Sequence, residues 1–237
     1  MIKLLNILRE TQILVPRRSP EERQNNYQIA LQKKIQQYIK DGSQGDLNLT
    51  KTPIQSLPNG LKVGGDLYLT KTPIQSLPNG LVVKGSLYLD NTQIQSLPND
   101  LEVGGDLDLQ YTNLTSLPPG LEVGGGLFLG NTQIQRFPDN LKVVGGDLYL
   151  DDTSIQSLPN GLEVEGDLYL VSTPIQSLPN GLKVDGYLNL GGTQIQRLPD
   201  DLKVGGYLFL EDTPLSKKYT EEEIKAKYPG IKGKIYL

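Results

Sequence analysis

The chain has 237 residues and carries 23 Lys and Arg against 27 Asp and Glu, a formal charge of −4, with no Cys and no His. Those two absences exclude disulfides, thiolate nucleophiles, zinc sites built on Cys or His, and every triad that needs imidazole. The charge is unevenly spread: residues 45–215 hold nine basic and twenty acidic side chains, whereas 1–44 and 216–237 are both net basic. Such an acidic body is a poor footprint for direct binding of a nucleic-acid backbone.

The first segment, "MIKLLNILRETQILVPRR", is apolar but interrupted by Lys3, Arg9 and Glu10, and no small-residue cleavage site follows. It therefore does not read as a signal peptide, and no stretch reaches the ~18 apolar residues of a membrane span. With the absence of Cys, this gives an expected cytoplasmic location, or the host cytoplasm if the chain is phage-encoded, and no membrane partner. Residues 1–14 read as a second short helix or a loosely attached segment.

The next segment, "SPEERQNNYQIALQKKIQQYIKDG", predicts a helix. Ser19 is placed as N-cap, Pro20 at the first position, Glu22 as the capping-box partner and Gly42 as the stop. Tyr27, Leu31, Ile35 and Tyr38/Ile39 form an apolar stripe at helical spacing. Residues 1–44 are accordingly expected to be a helical N-terminal cap.

From Gly45 the chain repeats. Units start at Gly45, Gly65, Gly85, Gly105, Gly125, Gly146, Gly166 and Gly186, with a truncated ninth at Gly206. The period is 20, except in the fifth unit, where "KVVGGDL" adds one residue. The consensus is G-x-L-x-L-x-x-T-x-I-x-x-L-P-x-x-L-x-V-x. Leu-x-Leu alternation makes a short strand with both Leu side chains on one face, with four residues such as "DLYL" sufficing. Pro after the third Leu, and often before Ile (Pro53, Pro73, Pro174, Pro214), excludes helix interior, and "NG", "PG" or "ND" turns the chain. Leu-x-Val brings it back, and "GG" bends it into the next unit.

Each unit offers six apolar residues, in the second unit Leu67, Leu69, Ile74, Leu77, Leu81 and Val83. One unit cannot shield them. Coils stacked ~4.8 Å apart pile like residues into ladders and close one continuous core beneath a parallel sheet. The expected fold is a right-handed repeat solenoid over 45–215. Residues 216–237 form a small C-terminal cap, comprising a Thr220-capped helix with its acids first and a final strand at "GKIYL".

The pattern L-x-L-x-x-T-x-I-x-x-L-P-x-x-L resembles the leucine-rich repeat, and more narrowly its short, Pro-containing, 20-residue type known from bacterial effectors; similar Gly-Gly repeats occur in bacterial and phage proteins. That resemblance implies a parallel sheet on one face, used as a concave binding surface. Where the family has Asn, this chain has Thr (Thr52, Thr72, Thr92, Thr112, Thr132, Thr153, Thr173, Thr193, Thr213). A Thr hydroxyl, with one donor, is expected to bond a neighbouring coil's backbone. Effectors of this type can carry a ubiquitin-ligase domain with a catalytic Cys; with no Cys here, that activity does not carry over.

The residue between the two Leu points away from the core. This row runs Asn48, Tyr68, Tyr88, Asp108, Phe128, Tyr149, Tyr169, Asn189, Phe209. The row two residues earlier runs Asp46, Asp66, Ser86, Asp106, Gly126, Asp147, Asp167, Tyr187, Tyr207. Aromatic anchors and acids are densest at Tyr149, Tyr169, Asp147, Asp151, Asp152 and Asp167. The expected function is non-catalytic binding of a basic protein partner through Tyr68, Tyr88, Phe128, Tyr149, Tyr169, Phe209 and those four acids. No cofactor, metal or catalytic residue is expected, since an open sheet does little to shift a carboxylate pKa. Two alternatives stand beside it. Tyr platforms next to Asp acceptors suit carbohydrate, and cross-strand aromatics also simply stabilise a sheet, which suits a structural spacer. The Gln row (Gln55, Gln75, Gln95, Gln135, Gln156, Gln176, Gln196) reads as a solvated edge.

Overall fold

The computed structural model describes residues 19–138, 140–141 and 143–237. The expected helix or loose segment at 1–14, and the linker after it up to Arg18, lie outside the described residues. The chain falls into two compact units, 1–37 and 38–237.

Helix α1 spans Pro20–Lys40. Its start is the expected capping box: the Glu22 N–H donates to Ser19 Oγ (3.1 Å), and the Ser19 N–H donates to Glu22 Oε2 (2.8 Å). Gly42, at φ 87°, lets the next N–H groups turn back onto the last carbonyls, Ser43 onto Tyr38 (3.0 Å) and Gly42 onto Ile39 (3.1 Å). Within the apolar stripe Leu31 and Ile35 are buried, while Tyr27 and Ile39 are exposed, so the stripe is narrower than its spacing predicts. The Tyr38 hydroxyl lies 2.7 Å from the Gly45 carbonyl and accepts the Gly64 N–H (3.2 Å), tying the helix end to both ends of the first unit.

The repeats form a coil of stacked units with parallel strands, the fold that the resemblance to leucine-rich repeats implies. One parallel sheet holds ten strands in chain order, from Leu47–Asn48 through Leu208–Phe209 and then Ile235–Tyr236. Each strand core is two residues, shorter than the four of "DLYL", but coil-to-coil bonds continue beyond it: Leu67, Leu69 and Lys71 N–H donate to the Ser86, Tyr88 and Asp90 carbonyls at 2.8–3.0 Å. All six apolar residues of the second unit are buried, Leu67, Leu69, Ile74 and Leu81 completely. Each such side chain contributes ~1.5–3 kcal/mol relative to exposure, which is what stacking offers and a lone unit cannot.

The returning Leu-x-Val segments also pair, which alternation over so short a stretch did not reveal. They make two further four-stranded sheets, Lys62–Val63 to Glu122–Val123 and Val143–Val144 to Lys203–Val204. The break between them falls at the 21-residue fifth unit. An extra residue in one strand displaces its pairing register, as in a β-bulge. The first sheet runs through uninterrupted, with Leu148 paired to Leu127, so the insertion is absorbed on the return side alone. There Val123 is only half-buried, and a cavity of about 670 Å³ opens among Val103, Leu121, Pro138 and Leu141.

Each strand ends in a tight turn. In Leu69-Thr70-Lys71-Thr72 the Thr72 N–H donates to the Leu69 carbonyl (3.2 Å), and Lys71 takes φ 56°, the left-handed third position of a type II turn. Lys51, Asn91, Tyr111, Asn131, Asp152, Ser172, Gly192 and Asp212 occupy the equivalent site. The Thr that follows does not bond the neighbouring coil, contrary to the expectation from sequence. Its hydroxyl donates to the Leu three residues earlier in its own coil, Thr72 to Leu69 and Thr193 to Leu190, both at 2.7 Å. The turn brings that carbonyl within reach first, and one hydroxyl proton serves one acceptor.

The C-terminal segment is as expected. Helix α2 (Glu221–Lys227) has a complete capping box between Thr220 and Glu223, and Ile235–Tyr236 pairs with Leu208–Phe209. No helix among the described residues is long and apolar enough to cross a membrane.

Candidate functional site

The strand pairing places the outward row in register, each residue opposite its counterpart one coil on: Tyr68 with Tyr88, Phe128 with Tyr149, Tyr149 with Tyr169, Phe209 with Tyr236. Six aromatics anticipated from sequence thus share one face. Where the row is polar, the side chain folds back on its own turn instead. Asn48, Asp108 and Asn189 accept the N–H two residues on at 3.0–3.1 Å, the Asx pattern. Partial burial pushes the Asp108 pKa up, with the neighbouring Asp90 and Asp106 adding to the shift.

The rings are stacked more than they are displayed. Tyr68 and Tyr88 lie 4.8 Å apart at 7°, Tyr187 and Tyr207 5.0 Å apart at 2°, and Phe209 and Tyr236 4.8 Å apart at 7°. Parallel rings this close cannot lie side by side in one plane; they overlap face to face with an offset. Much of each inner face is therefore covered by its partner. Tyr149 and Tyr169, both half-buried, overlap less squarely, 5.3 Å apart and tilted by 43°. Glycines make room here: a Cβ at Gly130 would lie 2.7 Å from Tyr149 Cε1, and one at Gly126 would lie 2.8 Å from Phe128 Cε2.

The acidic row is a ladder of hydrogen bonds. Asp46 Oδ1 accepts the Asp66 N–H, Asp66 the Ser86 N–H, Asp106 the Gly126 N–H, Asp147 the Asp167 N–H and Asp167 the Tyr187 N–H, all at 2.7–2.9 Å. Ser86 Oγ takes the same role toward Asp106. Each carboxylate thus satisfies a backbone donor of the next coil that no strand bond reaches, with a charge-assisted bond. The glycine that precedes each Asp is part of the same device. A Cβ at Gly85 would overlap Asp66 Oδ1 and sit 2.8 Å from the Gly65 carbonyl carbon.

The second carboxylate oxygen serves the aromatic row. Asp66 Oδ2 accepts the Tyr68 hydroxyl (2.9 Å) and Asp167 Oδ2 the Tyr169 hydroxyl (3.0 Å). The bond to Asp66 pushes the Tyr68 pKa up to about 12; burial, then the bond to Asp167, does the same for Tyr169. Tyr149 leans the other way and bonds Asp151, and its pKa too is raised, chiefly by burial. Asp151 is itself only 9 % exposed; its Oδ1 accepts the Val171 N–H (2.7 Å), and burial raises its pKa. Asp152 is exposed in the left-handed turn position, where a short polar side chain is tolerated.

The structure therefore gathers Asp147, Tyr149, Asp151, Asp152, Asp167 and Tyr169 at one place on the face, with Tyr68/Tyr88 toward one end and Phe128 between. Phe209 belongs to a second group that sequence reading passed over. Tyr187 and Tyr207 stand in the Asp register, Tyr236 comes from the final strand, and the four rings contact one another. Tyr187 and Tyr207 are 41% and 40% exposed. Their register was legible; Tyr236 lies outside the repeat, and only strand pairing brings it in. On the Gln row every residue is exposed, and Gln75 donates to Gln93 in the adjacent coil (3.0 Å).

No family model matches the sequence, and no curated protein is significantly similar to it. Among solved structures the chain is similar to YopM, a leucine-rich effector protein from Yersinia pestis. The two share 18% identity at a TM-score of 0.49, over 79% of this chain and 66% of that one, slightly under two thirds of its length. It is also similar to a leucine-rich repeat protein of Leptospira interrogans, with 18% identity and a TM-score of 0.33 over 80% of this chain and 71% of that one.

Proposed function

We propose that this leucine-rich repeat protein is a non-catalytic interaction module that holds a basic protein partner on the outward face of its ten-stranded sheet. The observation that carries the reading is the group Asp147, Tyr149, Asp151, Asp152, Asp167 and Tyr169, where tilted, half-buried aromatic rings and carboxylates share one surface. Tyr rings supply rigid contact area that a partner can desolvate, and the carboxylates steer and pair with Lys or Arg. Tyr68, Tyr88, Phe128 and Phe209 extend the surface along the coil. Ten strands at sheet spacing span ~40 Å, enough for one side of a standard interface of about 800 Å².

Ring geometry favours protein over carbohydrate. A sugar stacks on a free aromatic face, and the pairs Tyr68/Tyr88, Tyr187/Tyr207 and Phe209/Tyr236 cover their inner faces mutually. The Asp ladder favours a structural contribution by the same residues, so the test must keep the ladder intact. Tyr149→Ser/Tyr169→Ser/Asp152→Lys does so, because none of the three side chains accepts a coil-to-coil bond. Its fold is checked first by circular dichroism. In affinity capture from lysate, the wild-type chain is expected to retain basic proteins that high salt releases and the variant does not retain. Capture unaffected by salt, or equal capture by the variant, would remove the proposal.

A further inference from the structure

Where the last repeats meet the C-terminal cap, three cations form no ion pair among the described residues. Arg197, Lys218 and Lys227 line one cavity of about 360 Å³ together with Gln196, Pro214 and Tyr219. The Lys218 and Lys227 ammonium groups sit 5.1 Å and 5.7 Å from the centroid of the Tyr219 ring, and Lys227 also sits 5.4 Å from that of Tyr228. Cation–π contact of this kind holds the ammonium groups in place without neutralising them.

Two carboxylates of the cap helix are committed elsewhere, and Asp200 lines a separate cavity with Arg197. Glu221 pairs with Lys225 (3.0 Å) and accepts the Ile235 N–H, and Glu223 closes the capping box at Thr220. Among the described residues none of Arg197, Lys218 and Lys227 enters an ion pair. A concave site with one guanidinium, two ammonium groups and the Gln196 amide, and no acid, has the composition of an oxyanion site. Arg supplies a planar fork and Lys a mobile point charge.

From this we infer that the pocket binds a phosphate group, free or as part of a small phosphorylated molecule, between Arg197, Lys218 and Lys227. The site lies where the last repeats meet the C-terminal cap and uses none of the sheet-face residues proposed above. Its test is amide-resolved NMR of the full chain, titrated at constant ionic strength with inorganic phosphate, with ATP, and with chloride as control. Phosphate or ATP should shift the amides of Arg197, Lys218, Tyr219 and Lys227 saturably, and chloride should not. Tighter binding of ATP than of phosphate identifies an ester ligand; equal binding identifies the free ion. Lys227→Glu and Arg197→Ala, at exposed positions with unchanged circular dichroism, should each weaken binding at least about tenfold, the scale of one charge-assisted contact. Shifts that fail to saturate with either anion, or that persist undiminished in both variants, would overturn the inference.

Discussion

At Tyr68 a single hydroxyl shows how the coil uses its acids. The Tyr68 proton is held by Asp66 Oδ2 while Asp66 Oδ1 caps the next coil, so the neutral phenol is the favoured form. Its folded pKa, about 12, stands above the ordinary value of 10.0. For a pKa raised on folding, the stabilisation is whole below the unfolded value and is lost as pH rises from about 10 through about 12. Phenolate absorbance during alkaline titration should therefore show Tyr68 and Tyr169 ionising last. Asp66→Ala should return Tyr68 to the range of ordinary tyrosines; an unmoved late titration step in that variant would refute the assignment. The left-handed turn residues lie at the opposite extreme of legibility. Lys71 and Tyr111 adopt φ 56° although neither residue type signals it, because closure of each coil, not local preference, imposes the turn.

Among the coil's elements, the "GG" junction separates two kinds of glycine. The first position also holds Lys84, Glu165 and Asp185, so a side chain fits there. The second is Gly in every unit; at Gly65, Gly85, Gly125, Gly166 and Gly186 a Cβ would displace the ladder carboxylate of the preceding coil, an obstacle the first position lacks. Gly166→Ala is the direct case: its Cβ would overlap Asp147 Oδ1 and lie 2.7 Å from the Gly146 carbonyl carbon. Overpacking of this kind typically costs ~1–3 kcal/mol, read as a lowered urea midpoint, whereas Glu165→Gly beside it should change stability by less than ~1 kcal/mol. Equal effects of the two substitutions would show that the ladder does not set the glycine requirement. The invariance of this glycine was plain in the repeat; its cause required the distance between coils.

Over the whole coil, stability is a sum of nearest-neighbour interfaces, and one interface is incomplete. The return sheet stops at Glu122–Val123 and resumes at Val143–Val144, where the fifth unit has its extra residue. Deleting Val143 leaves Leu-Lys-Val, the consensus return, and should join the two short sheets. Each ladder bond regained contributes ~1 kcal/mol. Thermal unfolding should shift upward and the Gly145 amide should gain hydrogen-exchange protection. A lower midpoint would mean that the insertion is accommodated by packing the deletion destroys.

Sequence alone determined the repeat, the six-residue core of each unit, the order of caps and coils, the Ser19 capping box, the Thr220 N-cap and the aromatic row, because each depends on periodicity or on bonds between residues three or four apart. It also named the side chains of the candidate face correctly as neighbours, since a 20-residue period sets equivalent positions one strand apart. Only the tertiary structure decided what those neighbours do. That Asp147 and Asp167 cap backbone N–H groups, that Asp151 is buried, that rings pair face to face, that Tyr236 joins Phe209, and that Arg197 meets Lys218 and Lys227 all depend on side-chain directions and on distances across coils. Those distances arise when the coils stack, and no spacing along the chain encodes them.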